Sequence, residues 1–227
     1  MFKKQTFETN VYMKLFRLAY SFLAGNLCLL LVNLPFFLVV VTTAIDIRNS
    51  LIFLGSLFFF LPAAMTIFAW FVEGIQENEV PVKTFFQLYR RAWKKSMYLG
   101  GPGYLVIVIA FVDILFFMHQ PIGKWLIPFF FIFIILAINL IINNFYLQVK
   151  NPEISIRNIY HVSFYYVVKK WYISLLNTVL VFLLLVVMVV KPQFGFLVTP
   201  CLFLGLIYLN CKQTYRHLNQ KDVNTKK

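Results

Sequence analysis

The sequence predicts an all-α fold: a polytopic membrane bundle of six transmembrane helices, with two amphipathic helices at the cytoplasmic interface. Three observations carry that prediction. Hydrophobic residues make up 61% of the 227 and charged residues only 13%, whereas a soluble domain carries about 25% charged residues and must spread them over its surface. The apolar residues fall into runs long enough to cross a ~30 Å hydrocarbon core, and the mean hydropathy is +0.78. The basic residues between the runs alternate in number from loop to loop, which sets an orientation.

The runs lie at about 20–45, 51–72, 97–118, 125–149, 173–190 and 194–211. Backbone polar groups in lipid must be satisfied within the segment, so runs of this length are helices, and the absence of strand-like alternation excludes a β-barrel. The whole chain, 1–227, reads as one integral membrane domain ending in a basic cytoplasmic tail over 212–227. The first run follows a long basic start and is too long for the core of a signal peptide, and Thr42-Thr43-Ala44 is a poor cleavage site, so cleavage is not expected.

All 21 basic residues can be assigned to a side. Lys3, Lys4, Lys14 and Arg17 precede the first run. Lys83, Arg90, Arg91, Lys94 and Lys95 lie between the second and third. Lys150, Arg157, Lys169 and Lys170 lie between the fourth and fifth, and Lys212, Arg216, Lys221, Lys226 and Lys227 follow the sixth. The other side holds only Arg48, Lys124 and Lys191, a division of 18 against 3. The positive-inside rule then places both termini in the cytoplasm of a cell-membrane protein. The outer loops, 46–50, 119–124 and 191–193, are too short to bind a large external ligand.

Both longer inner loops look helical. In the first, Val82, Phe85, Phe86, Tyr89 and Trp93 share a face, with Lys83, Gln87, Arg90, Arg91, Lys94 and Lys95 around it, after a start at Gln76–Pro81 that suits a helix N-terminus. In the second, Ile156, Ile159, Tyr160, Phe164, Val167 and Trp171 form the stripe, with Arg157, Asn158, His161, Lys169 and Lys170 around it. Each reads as an interfacial helix facing anionic lipid. The likeness of the two loops fits a parallel internal repeat, or merely the basic and aromatic anchors common to inner loops.

Within the runs, polar residues are few. Asp113 is the one acidic residue inside a run, near the outer end of the third, and an ionisable residue at that depth is a candidate site or a structural marker. The amides Asn26, Asn33, Asn139, Asn143, Asn144 and Asn177 are either interhelical hydrogen-bond formers or the lining of a polar cavity, which Asn139 and Asn143 would face together at i,i+4 spacing. Pro35, Pro62 and Pro128, with Gly100-Gly101-Pro102-Gly103, are expected to kink their helices. Cys28, Cys201 and Cys211 form no CxxC pair and read as small apolar residues. The three histidines are dispersed and no nucleophile or phosphate-loop motif occurs, so an enzyme, a metal site and a bound cofactor are not expected. The net charge of +13 is spread along the membrane face and does not form a nucleic-acid surface.

Three segments resemble the YesL family of bacterial membrane proteins: Asn26 to Leu34-Pro35, Leu61-Pro62-Ala63-Ala64-Met65-Thr66, and Val80 to Ser96 with its paired Phe85-Phe86, Tyr89, Arg90-Arg91, Trp93 and Lys94-Lys95. Asp113 also falls where that family tends to carry an aspartate, and Leu38 departs from the threonine expected there. The resemblance covers most of the chain. It implies an uncharacterised function in Firmicutes, often encoded beside carbohydrate ABC transporters, and so an accessory role in sugar uptake with such a transporter as partner. The residues themselves leave a small secondary transporter or channel as the alternative.

Overall fold

A computed structural model describes residues 11–73 and 81–215. The described residues form ten α-helices: α1 (Val11–Val32), α2 (Leu34–Thr42), α3 (Ser50–Leu57), α4 (Phe60–Glu73), α5 (Pro81–Phe117), α6 (Gly123–Lys150), α7 (Ile156–Lys169), α8 (Trp171–Val190), α9 (Pro192–Leu197) and α10 (Thr199–Thr214). A 3-10 turn at Ile47–Asn49 leads into α3, with the Asp46 carboxylate accepting from the Arg48 amide at 3.2 Å.

Three helices are long and apolar enough to cross a membrane, namely α5 from Val82, α6 and α8. Two bent pairs meet the same test when each is taken as one segment: α1 with α2, bent by 76°, and the 3-10 turn and α3 with α4, bent by 46°. The described residues therefore contain three to five candidate spans, and the chain is read as a multi-pass membrane protein. The sixth apolar run is divided. It falls on α9, of 6 residues, and α10, of 16, separated at Val198.

The first inner loop differs from expectation. The helix that begins at Pro81 does not stop at the next run but continues for 37 residues, a length of about 55 Å against a ~30 Å core. No breaking residue separates Lys95 from Ser96, and the apolar stripe is held by protein: Phe85, Leu88, Ala92, Ser96 and Leu99 are buried. Val82, Phe86 and Trp93, expected on the same stripe, are exposed. The Gln76–Val80 start lies outside the described residues, as do residues 1–10 and the tail from 216.

Gly100-Gly101-Pro102-Gly103 does not break α5 either. A Cβ at Gly100 would stand 2.8 Å from the Phe145 ring and one at Gly103 2.8 Å from Ile141. The glycines make a shallow face into which α6 packs, the use small residues have between membrane helices. In α7, Ile159, Ser163 and Val167 are buried, whereas Phe164 and Trp171 of the expected stripe face outward.

The core is rich in aromatic rings. Phe68, Phe71 and Tyr146 surround Tyr208, with centroid distances of 6.0, 5.6 and 5.6 Å. Phe196 of α9 packs against Phe36 and Phe37 of α2 at 5.7 and 5.1 Å.

Candidate functional site

The buried polar side chains were the sequence's candidates for a ligand site. Some of them instead lie where helical hydrogen bonding is interrupted, and the others tie helices together. Asn26 of α1 donates from Nδ2 to the Val198 carbonyl at 3.0 Å and accepts from the Cys201 amide at 2.8 Å. These backbone groups flank the break between α9 and α10, so one side chain caps it from another helix. The approach needs Gly25, because a Cβ there would meet the Trp70 ring at 1.9 Å and Cys201 Sγ at 3.0 Å.

The same device recurs. Pro102 has no N–H, so the Tyr98 carbonyl loses its helical donor. The Tyr160 hydroxyl of α7 lies 2.9 Å from both the Tyr98 and Leu99 carbonyls, and Asn144 Nδ2 of α6 donates to Leu99 at 3.0 Å. At the bend between α3 and α4, the Tyr104 hydroxyl of α5 donates to the Leu54 carbonyl. At the bend between α1 and α2, Asn33 makes no side-chain cap to α2; its Nδ2 and its backbone amide both donate to the Leu29 carbonyl at 3.0 Å. In lipid an unsatisfied backbone group costs several kcal/mol, which accounts for the side-chain partners at the α9–α10 break, at Pro102 and at the α3–α4 bend.

A second group ties α6, α8 and α10 together. Asn139 Nδ2 donates to Thr178 Oγ1 at 2.7 Å and to the Ile135 carbonyl at 2.8 Å. Asn143 donates to the Asn139 carbonyl at 2.8 Å and accepts from the Tyr215 hydroxyl at 2.9 Å. Asn210 Nδ2 donates to Asn177 Oδ1 at 3.0 Å, and Lys170 Nζ donates to the Thr214 carbonyl, also at 3.0 Å. The lysine thus places positive charge at the C-terminal end of α10, where the helix dipole favours it. Burial pushes the Tyr160 and Tyr215 hydroxyls above their ordinary values, which keeps both protonated as donors. The gap beside Asn143, bounded by Tyr166, Lys170 and Asn177, is too narrow for a water molecule.

Asn139 and Asn143 are therefore brought together as the i,i+4 spacing implied, but in a packed network. Asn26 serves the break between α9 and α10, and Asn33 bonds back to Leu29 at the α1–α2 bend. Asp113 is partly exposed on α5 and forms no ion pair among the described residues. Tyr104 and Tyr215 were not singled out by sequence, and Tyr160 and Lys170 were read only as part of an interfacial helix. A tyrosine inside or beside an apolar run was the available signal, since its hydroxyl needs a partner when buried.

The other candidate surface is the first half of α5. Phe85 is buried against Trp70 at 6.3 Å, and Tyr89 stacks on it at 6.2 Å and meets Trp93 at 5.5 Å. Burial pushes the Tyr89 hydroxyl up to about 12. Lys83, Arg90, Arg91, Lys94 and Lys95 are exposed. Arg91 pairs with Glu73 at 3.7 Å with both side chains well exposed, an arrangement that contributes at most about 1 kcal/mol. The result is a basic surface with Phe86 and Trp93 set into it, resting on a fixed aromatic base.

No curated protein and no solved structure matches the chain. The matching family model, DUF624, described as protein of unknown function, covers residues 9–114, from α1 to near the C-terminal end of α5, and so includes Asn26, Asn33, Asp113 and the basic surface; over that stretch the chain is similar to this family.

Proposed function

We propose that this is a non-enzymatic accessory component of a carbohydrate uptake system, with α5 as its docking element at the cytoplasmic face. The reading takes six crossings, the sixth made by α9 and α10 together, and both termini inside, as the basic residues favour. It also takes α7 as an interfacial helix. The observation that carries it is the first half of α5: a helix too long for the bilayer alone, presenting four cations within six residues, Arg90, Arg91, Lys94 and Lys95, beside exposed Phe86 and Trp93. Exposed aromatic and arginine side chains on a rigid support are what partner surfaces use as anchors. The YesL resemblance supplies the class of partner, a carbohydrate ABC transporter.

The test is affinity capture of tagged protein from native membranes of cells grown on an inducing sugar. The expected result is recovery of a transporter component, lost when Arg90, Arg91, Lys94 and Lys95 are all changed to Gln. Recovery of no transporter component, or recovery unaffected by those changes, refutes the reading.

A small secondary transporter is the second reading. It is favoured by the two interrupted helix pairs, α1–α2 and α9–α10, since discontinuous helices can line substrate sites, and by the amide oxygens of Asn33, Asn139 and Asn144, buried without a hydrogen-bond partner. Solute uptake into proteoliposomes that Asn33→Ala abolishes would establish it. No uptake of any sugar or amino acid tested would reject it.

A further inference from the structure

Helix α7 has two apolar faces. Ile159, Ser163 and Val167 point into the bundle. On the other side Phe164, Tyr165 and Val168 are 56, 52 and 56% exposed. With Leu140 of α6 this outer face lines an open groove of about 690 Å³, whose remaining lining residues are Tyr160, His161 and the cations Arg157 and Lys169. No carboxylate lines it. Arg157 and His161 stand one turn apart at the start of the helix and are exposed. Lys169, at the far end, is held over the Tyr165 ring at 5.1 Å and donates to the Tyr165 hydroxyl at 3.0 Å, a bond that raises its amine above the ordinary value and keeps it charged.

The exposed apolar surface does not end with α7. The next helix in the chain, α8, is one of the candidate spans, and its Tyr172, Leu175, Leu176 and Val179 are each about half exposed. A groove that is apolar along its length, carries cations at its ends and sits on the helix leading into a candidate span fits one kind of occupant. We propose that it binds a single anionic glycerophospholipid, with the phosphate at Arg157 and His161 and an acyl chain along Phe164, Val168 and Leu140. Arginine suits the phosphate because its guanidinium forks onto two oxygens. This differs from the diffuse attraction of the α5 cations to a charged surface, because the groove receives the chain as well as the headgroup. It is also independent of any partner on α5.

The test is native mass spectrometry of the intact protein released from detergent, after incubation with phosphatidylglycerol or with phosphatidylcholine of the same chains. Phosphatidylglycerol should be retained about tenfold more strongly, from the few basic groups that meet its charge. R157Q/H161Q should abolish that preference, and R90Q/R91Q/K94Q/K95Q should preserve it. F164Q, which leaves every cation in place, should weaken retention of both lipids. All these variants except R90Q/R91Q/K94Q/K95Q alter only exposed side chains of α7, so the bundle is left intact. Inorganic phosphate in large excess should not displace the lipid. Equal retention of the two lipids, a preference that survives R157Q/H161Q, displacement by phosphate alone, or competition by an acidic peptide would each overturn the proposal.

Discussion

Replacing Asn26 by Leu removes a side chain from another helix that bonds two backbone groups at the break at Val198. Leucine keeps the branched shape of asparagine but can neither donate to the Val198 carbonyl nor accept from the Cys201 amide, now bonded at 3.0 and 2.8 Å. Val198 is the N-cap of α10, so its carbonyl keeps the first bond of that helix; the Cys201 amide is left unsatisfied, which predicts a loss of about 1–3 kcal/mol. That stands well above the ~0.6 kcal/mol average of interhelical hydrogen bonds in membranes. The difference arises because the Cys201 amide is a backbone group in the first turn of a helix that starts at a break, where no preceding helical carbonyl is in place to accept from it. Unfolding free energy measured by steric trapping in bicelles gives the number directly. Thr42→Val is the control: an exposed threonine bonded to Leu38 within its own helix at 2.7 Å, its loss should cost under about 1 kcal/mol. An Asn26→Leu loss no larger than that of the control would refute the capping argument.

Three further outcomes follow from the same contacts. Tyr160→Phe should destabilise by about 1–2 kcal/mol, and by clearly less in a Pro102→Ala background, where an N–H returns to the Tyr98 carbonyl; a double-mutant cycle with no coupling would contradict the link. Gly195→Leu should prevent α9 from packing on α8, because even a Cβ would stand 2.5 Å from Met188 Cα and 2.6 Å from the Val187 carbonyl; a monodisperse, fully folded variant in gel filtration would show the contact is wrong. Arg91→Gln should change stability by less than about 1 kcal/mol, since its pair with Glu73 is exposed, and a larger loss in thermal unfolding would mean that the pair is shielded.

Hydropathy located the long segments because burial in lipid imposes one demand on every residue of a span. It could not locate the continuity of α5. Whether a helix stops at Lys95-Ser96 depends on what holds Phe85, Leu88 and Ala92, and their neighbours come from distant parts of the chain. Nor could it tell that Pro102 leaves α5 unbroken, since its cost is met by Tyr160, 58 positions later, and by Asn144. The prolines at 35 and 62 did mark bends, but the sizes of those bends, 76° and 46°, are set by packing. At the candidate site, the amides were legible as residues and not as roles. An asparagine in an apolar run must find partners, and only tertiary structure decides whether those are a ligand or the loose ends of another helix. The charges of α5 were visible from the start because exposed cations need no partner to be read.

Polar side chains of the interior bond backbone groups at helix breaks, and we propose that the basic half of α5 is presented to the cytoplasm. Topology tests that most directly. Single cysteines can be introduced at Lys94 and at Lys124, against a background in which Cys28, Cys201 and Cys211 are all buried, and challenged with a membrane-impermeant maleimide. The prediction is labelling at position 124 in intact cells and at position 94 only after permeabilisation. Labelling at position 94 in intact cells, or the same accessibility at both positions, would contradict it.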